Sequence, residues 1–122
     1  MKRILIVEDV ELNVDLLVQL LEDYFDLVVA RDGAAVVEAA RHDRPDLILM
    51  DMSLPVMDGW QAARLLKADA QLRHIPLIGL SAHAMSGDRD RALAAGCDEY
   101  LTKPLDEDAL FASLNALLRE WR

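Results

Sequence analysis

The sequence holds a single cysteine, Cys97, so no disulfide can form within the chain and a reducing, cytoplasmic setting is expected. Standing after Gly96 and ahead of an apolar segment, Cys97 reads as a small buried filler rather than a redox group. Positive charge is also scarce: 13 Lys and Arg face 22 Asp and Glu, for a formal net charge of −9. Nucleic-acid backbones and anionic membranes are gripped by clustered cations, so neither is an expected partner. Long apolar runs are missing too. Only Ile4-Leu5-Ile6-Val7 follows the basic start, too short for the apolar core of an export signal. Nothing approaches the roughly 20 residues of a membrane-spanning helix. No repeat, linker or low-complexity stretch interrupts the chain. Residues 1–122 are therefore expected to form one domain, with nothing left over for an output domain.

What the chain has in plenty is aliphatic side chains, with 53% of residues hydrophobic, enough for a sizeable core. They fall into two alternating patterns. Ile4-Leu5-Ile6-Val7, Leu27 to Ala30, Leu47-Ile48-Leu49-Met50, Leu77 to Leu80 and Tyr100-Leu101 are short runs without polar alternation, as in strands buried on both faces. Between them lie helical spacings. Leu12, Leu16, Leu17, Leu20, Leu21 and Tyr24 predict one face of a first helix. Asp32 is suited to cap a second through Ala34, Val37 and Ala40, and Asp58-Gly59 opens a third. A fourth is expected from about Ser86 to Ala95, stopped by Gly96. Asp106 caps a fifth, with Leu105 and Leu110 as its hydrophobic staple. Five strands alternating with five helices predict an α/β, flavodoxin-like (βα)5 three-layer sandwich. Its sheet is expected to be parallel, in the order 2-1-3-4-5.

In such sheets the functional crevice lies beyond the carboxyl ends of the strands. Strand one ends in Glu8 and Asp9, strand three in Asp51, strand four in Ser81, and strand five in Thr102 and Lys103. Taken singly, each has a plain structural reading, as a helix cap, a turn residue or a solvated loop charge. Converging, they make three carboxylates, a hydroxyl and an ammonium. Oxygen-only donors of this kind suit Mg²⁺ rather than zinc. A carboxylate beside such a cation can attack phosphorus, while a Lys neutralises the transferring oxygens and a Ser hydroxyl bonds them.

The residues that carry this pattern resemble the receiver domains of two-component response regulators along essentially the whole chain. The segments are Ile4-Leu5-Ile6-Val7-Glu8-Asp9, Pro45 to Met52, Leu54-Pro55-Val56-Met57-Asp58-Gly59, Leu80-Ser81-Ala82-His83 and Tyr100-Leu101-Thr102-Lys103-Pro104. The resemblance implies that Asp51 is the phosphoacceptor. It implies that Glu8, Asp9, Asp51 and the backbone carbonyl of Ser53 hold Mg²⁺, with Asp9 a more direct ligand than Glu8. Lys103 and Ser81 would contact the phosphoryl group, and Ser81 and Tyr100 would act as the switch. The side chains of Ser53 and His83 would tune phosphoryl lifetime, and a cis Lys103-Pro104 bond is common at this position. The implied donor is a sensor histidine kinase or a histidine phosphotransfer protein. The implied readout surface is the face of helix four, strand five and helix five, where the mixed-charge run Asp88-Arg89-Asp90-Arg91 lies. Asn13, four residues after Asp9, points toward hybrid-kinase receivers and small single-domain regulators.

Two other classes use parts of this pattern. Haloacid-dehalogenase enzymes place a second Asp two residues after the nucleophile, where this chain has Ser53. Flavin- or nucleotide-binding modules need Gly, Ser or Thr after the first strand, where Glu8 and Asp9 would instead repel phosphate.

Overall fold

The computed structural model describes residues 1–54, 57–82 and 87–118. The strands are β1 (Arg3–Val7), β2 (Asp26–Ala30), β3 (Leu47–Asp51), β4 (Leu77–Ser81) and β5 (Glu99–Thr102). The helices between and after them are α1 (Glu11–Leu21), α2 (Val36–Asp43), α3 (Gly59–Ala68), α4 (Asp88–Ala95) and α5 (Glu107–Leu117). All neighbouring strands pair in parallel, in the order β2-β1-β3-β4-β5. This is the flavodoxin-like architecture the alternating pattern predicts.

Both faces of the sheet are covered, which is why its strands show no polar alternation. Successive strand residues point to opposite faces. Leu5, Val7, Ile48, Met50 and Leu77 pack on one side with Val36, Ala40, Ala62, Ala63, Leu66 and Ala92 of α2, α3 and α4. Ile4, Ile6, Leu47, Leu49, Ile78 and Leu80 pack on the other with Leu17 and Leu21 of α1 and Leu110 and Leu114 of α5. Cys97 is buried in the first of these layers, and burial pushes its thiol up to about 11, as suits a packing residue.

Two of the helices, α3 and α5, start where a short polar side chain takes up free backbone N–H groups. Asp58 accepts from Gln61 N at 2.9 Å and opens α3. Asp106 accepts from Asp108 N at 2.8 Å and from Ala109 N at 3.3 Å, and opens α5. Leu105 and Leu110 then share one apolar cluster, as a staple requires. Asp32 caps a single 3₁₀ turn (Gly33–Ala35) that leads into α2, accepting from Ala35 N at 2.9 Å. Val36 and Ala40 carry the buried face there, while Ala34 is exposed. Gly96, at φ 116°, ends α4 in a left-handed conformation that a side chain would resist. The expected start of this helix at Ser86 lies outside the described residues.

The predicted face of α1 is corrected in part: Leu17 and Leu21 are buried and Leu20 packs beside them as expected, but Leu12, Leu16 and Tyr24 are not on the buried face. The residues buried are Val14, Leu17 and Leu21, with Val18 packed beside them. Leu12 and Leu16 are 76% and 51% exposed, and Tyr24 lies beyond the helix end, 48% exposed. The series 14, 17, 18, 21 has the same spacing as the leucine series. Periodicity cannot choose between two apolar stripes on one helix, and docking on the sheet decides.

Candidate functional site

At the carboxyl ends of β1, β3 and β5 the chain brings three acidic residues and one lysine into contact. Carboxylate oxygens of Glu8, Asp9 and Asp51 all lie within 4.8 Å of one another. Lys103 Nζ donates to Glu8 Oε1 at 2.7 Å and to Asp51 Oδ2 at 3.2 Å. The parallel register makes this possible. β1 and β3 run side by side up to Val7 and Met50, so Glu8 and Asp51 follow at the same level. The final pair of β4 and β5, Ser81 with Thr102, sets Lys103 one step beyond.

The four groups differ in how they are held. Glu8 is 1% exposed. Its Oε2 accepts the backbone N–H of Asp9 at 3.0 Å and of Val10 at 3.3 Å, fixing the turn that leads to α1. Asp51 is 5% exposed, and its Oδ1 accepts the N–H of Ser53 at 2.9 Å. Asp9 is exposed and lies at the mouth of the site. Lys103 reaches in from β5 with its side chain 18% exposed, and the Lys103-Pro104 bond is cis, as the resemblance implies.

The electrostatics follow from this burial. Desolvation pushes the Glu8 carboxyl above its ordinary value; the hydrogen bond from Lys103 opposes this, and nearby Asp51 adds to it. For Lys103 burial alone would lower the pKa. The hydrogen bond to Glu8 and the charges of Asp51 and Glu8 outweigh it, so the ammonium is held above its usual range. Three carboxylates against one ammonium leave excess negative charge in a semi-enclosed hollow. Hard, all-oxygen donors of this kind match the preference of Mg²⁺ for one or two carboxylates with open positions for water and phosphoryl oxygen.

The other residues singled out from the sequence sit around this cluster. Ser81, 5% exposed, ends β4, and its carbonyl accepts the N–H of Lys103 at 2.7 Å. Ser53 is exposed beside Asp51, and its N–H already holds that carboxylate. Tyr100 is buried on the α3/α4 side of the sheet. His83 lies outside the described residues.

One contact was not legible in the sequence. Trp60, the second residue of α3, stacks on Tyr100 with ring centroids 6.5 Å apart and 27° between planes. The Arg91 guanidinium lies 4.3 Å from the centroid of the same Trp60 ring. Trp60 belongs to no apolar series. Its only sequence signal is a large aromatic beside a capped helix start; in the structure the preceding Gly59 is packed so tightly that a Cβ there would come within 2.5 Å of Met52 Cα.

The response regulator receiver domain model matches residues 4–115. The chain belongs to this family. Receiver domains are generally the phosphoacceptor signalling domains of two-component systems, and the acidic cluster at the strand ends fits that role. The polar-differentiation response regulator DivK of Brucella anthropi is 40% identical over 118 residues, covering 96% of each chain. The response regulator PleD of Caulobacter vibrioides is 42% identical over the same length, but this chain spans only 26% of PleD. The receiver domain of a sensor histidine kinase from Pseudomonas aeruginosa superposes with a TM-score of 0.87 at 37% identity, covering 95% of this chain and 96% of that one. In that crystal structure a magnesium ion is coordinated in the active-site cleft. Among the described residues of the present chain, no helix is long and apolar enough to cross a membrane.

Proposed function

We propose that Asp51 accepts a phosphoryl group from a phosphohistidine and that the protein signals through the surface this modification reshapes. The observation that carries the proposal is the Lys103 ammonium bridging Glu8 and Asp51 inside a three-carboxylate cluster. An Asp51 carboxylate oxygen attacks phosphorus, the P–N bond to the donor imidazole breaks, and the imidazole leaves with the electron pair and takes up a proton. Asp9, Asp51, Glu8 and the Ser53 carbonyl form the binding set for Mg²⁺, Asp9 more directly than Glu8. The ion's contribution is positive charge against the oxygens of the transferring group.

The residues have separate tasks. Ser53 N–H orients the Asp51 carboxylate, and Glu8 orders the turn after β1 through two backbone N–H groups. Lys103 exchanges part of its contact with Glu8 for a phosphoryl oxygen, and the Ser81 hydroxyl moves to the same group. The new charge, about −1.5 to −2 by analogy with other phosphoresidues, favours whichever conformation makes these contacts. Ser81 and Tyr100 thereby form the switch, and the side chains of Ser53 and His83 tune how readily water reaches the acyl phosphate. The protein turns over no separate substrate.

The donor is a histidine kinase or a histidine phosphotransfer protein in the cytoplasm. Exposed Val10 just ahead of α1, and exposed Leu12 and Leu16 one turn apart on it, offer apolar surface near the mouth of the site suited to the helix that carries a phosphohistidine. Downstream contacts use the face of α4, β5 and α5. That face holds a cavity of about 350 Å³ lined by Arg89, Tyr100, Thr102, Pro104 and Ala109 among others.

The test is phosphoryl transfer from a labelled phosphohistidine donor. Label should reach the wild-type chain only with Mg²⁺ present and should not reach Asp51→Asn. Stable labelling of that variant would overturn the acceptor assignment.

A further inference from the structure

Beyond the groups that contact phosphate, one side chain joins three elements of the proposed switch. Trp60 sits at the start of α3, directly after the connection that leaves Asp51. Gly59 N donates to Met52 O at 3.1 Å, so the backbone carrying Trp60 is pinned to the residue that follows the acceptor. The half-buried indole then lies against Tyr100 of β5 within the usual range for offset aromatic pairs. Arg91 of α4 lies over that indole, well inside the reach of a cation–π contact. A second tie runs beside it: Arg89 of α4 pairs with Glu99 of β5 at 2.7 Å and donates to the carbonyl of Tyr100 at 3.4 Å. The two arginines of the Asp88-Arg89-Asp90-Arg91 run thus turn back onto β5 and α3 rather than simply facing solvent.

We propose that Trp60 is the positioning residue of the switch: held between Arg91 of α4 and Tyr100 of β5, it couples the burial of Tyr100 to the position of α4. This inference rests on the phosphoacceptor reading of Asp51. The movable partner is α4, whose exposed Arg91 lies over the Trp60 ring. A phosphoryl group that draws the end of β4 toward Asp51 pulls α4 along the indole and loosens Arg91. Trp60 stays with α3, so Tyr100 on its face and α4 at its edge change position together, and the surface read by a partner changes with them.

The chain has two tryptophans, Trp60 and Trp121, so Trp121→Phe leaves one indole as the reporter. The full-length Trp121→Phe protein is titrated with beryllofluoride and Mg²⁺ while tryptophan emission, acrylamide quenching and amide shifts are followed. The expected result is red-shifted emission and faster quenching as Arg91 leaves the ring, with amide shifts at Ser53 and along Asp88–Ala95. In the otherwise native chain, Trp60→Leu should keep the Ser53 shift and lose most of the α4 shift, and Trp60→Phe should restore it. Arg91→Ala, a surface change that spares the core, should remove the α4 shift even if Trp60→Leu folds poorly. Unchanged or blue-shifted emission alongside a clear Ser53 shift overturns the Trp60 inference alone, as does an undiminished α4 shift in Arg91→Ala. Absence of any Ser53 shift would instead remove the phosphoacceptor reading and this inference with it.

Discussion

The amino and carboxyl ends of the sheet handle charge in opposite ways. At the amino end, charged side chains close backbone and side-chain contacts. Asp46 accepts the N–H of Arg3 at 2.8 Å, and the Arg3 guanidinium donates to the carbonyl of Asp43 at 2.6 Å. Lys67 Nζ gathers the carbonyls of Arg73 and Ile75 and the carboxylate of Asp98, at 3.2, 2.9 and 3.1 Å. The Arg41 hydrogen bond, followed by the N–H of Gln71, holds the Asp69 carboxyl below its ordinary range. At the carboxyl end, three carboxylates cluster around a lysine that pairs with only two of them, Glu8 and Asp51, and burial holds Glu8 above its ordinary value. One end stabilises the fold. The other keeps an excess of negative charge among closely spaced carboxylates, which costs stability and fits a cation site.

Substitutions at the two ends should therefore separate stability from function. The largest effect is expected at Lys103. Lys103→Ala should cut the beryllofluoride-induced amide response by at least about tenfold, because a charge-assisted contact to phosphate is lost. Titration of the variant with beryllofluoride checks this, and an undiminished response would remove Lys103 from the switch.

Next comes Lys67→Ala at the opposite end, which leaves two carbonyls and Asp98 without their shared donor. A loss of about 2 kcal/mol in denaturant unfolding is expected, with phosphoryl transfer unchanged. A loss of transfer at full folding would mean that the two ends are not independent. Asp51→Asn should move stability the other way. Removing one of three crowded carboxylates should raise the stability of the metal-free protein by about 1–2 kcal/mol.

A smaller effect is expected from pH. A carboxyl raised in the folded state favours folding in its protonated form. That contribution is full below its ordinary value of 4.5 and is lost as pH rises through the folded value. The metal-free protein thus carries the Glu8 penalty at neutral pH, and Mg²⁺ should raise the melting temperature more at pH 7.5 than at pH 5. An equal increment at both would place the bound cation away from Glu8. Smallest of all should be thiol modification. With its pKa pushed up to about 11, Cys97 should react with maleimide at pH 8 far more slowly in the folded chain than in urea.

Much of the active end is legible in the order of residues because strand ends are local features. Each apolar run stops at a polar residue, and a parallel sheet carries those stops to one edge. Glu8, Asp51, Ser81 and Lys103 can be read off in this way, although Glu8 and Lys103 stand 95 residues apart in the chain. Helix caps are legible for the same reason: Asp58 and Asp106 act on N–H groups two or three residues away. The buried stripe of α1 and the partners of Trp60 are not, since each depends on which surface a helix meets.

The order of apolar and polar residues by itself determined the α/β architecture, the helix caps and the set of polar side chains delivered to one edge, because these depend on period and on short-range hydrogen bonding. Only the tertiary structure decided that α1 buries Val14 and exposes Leu12 and Leu16. It also decided that Glu8 serves the backbone as well as the site, and that Trp60 lies between Arg91 and Tyr100. Those choices are set by which surfaces meet when distant segments pack, and a side chain's spacing along the chain carries no record of its neighbours across a helix–sheet interface.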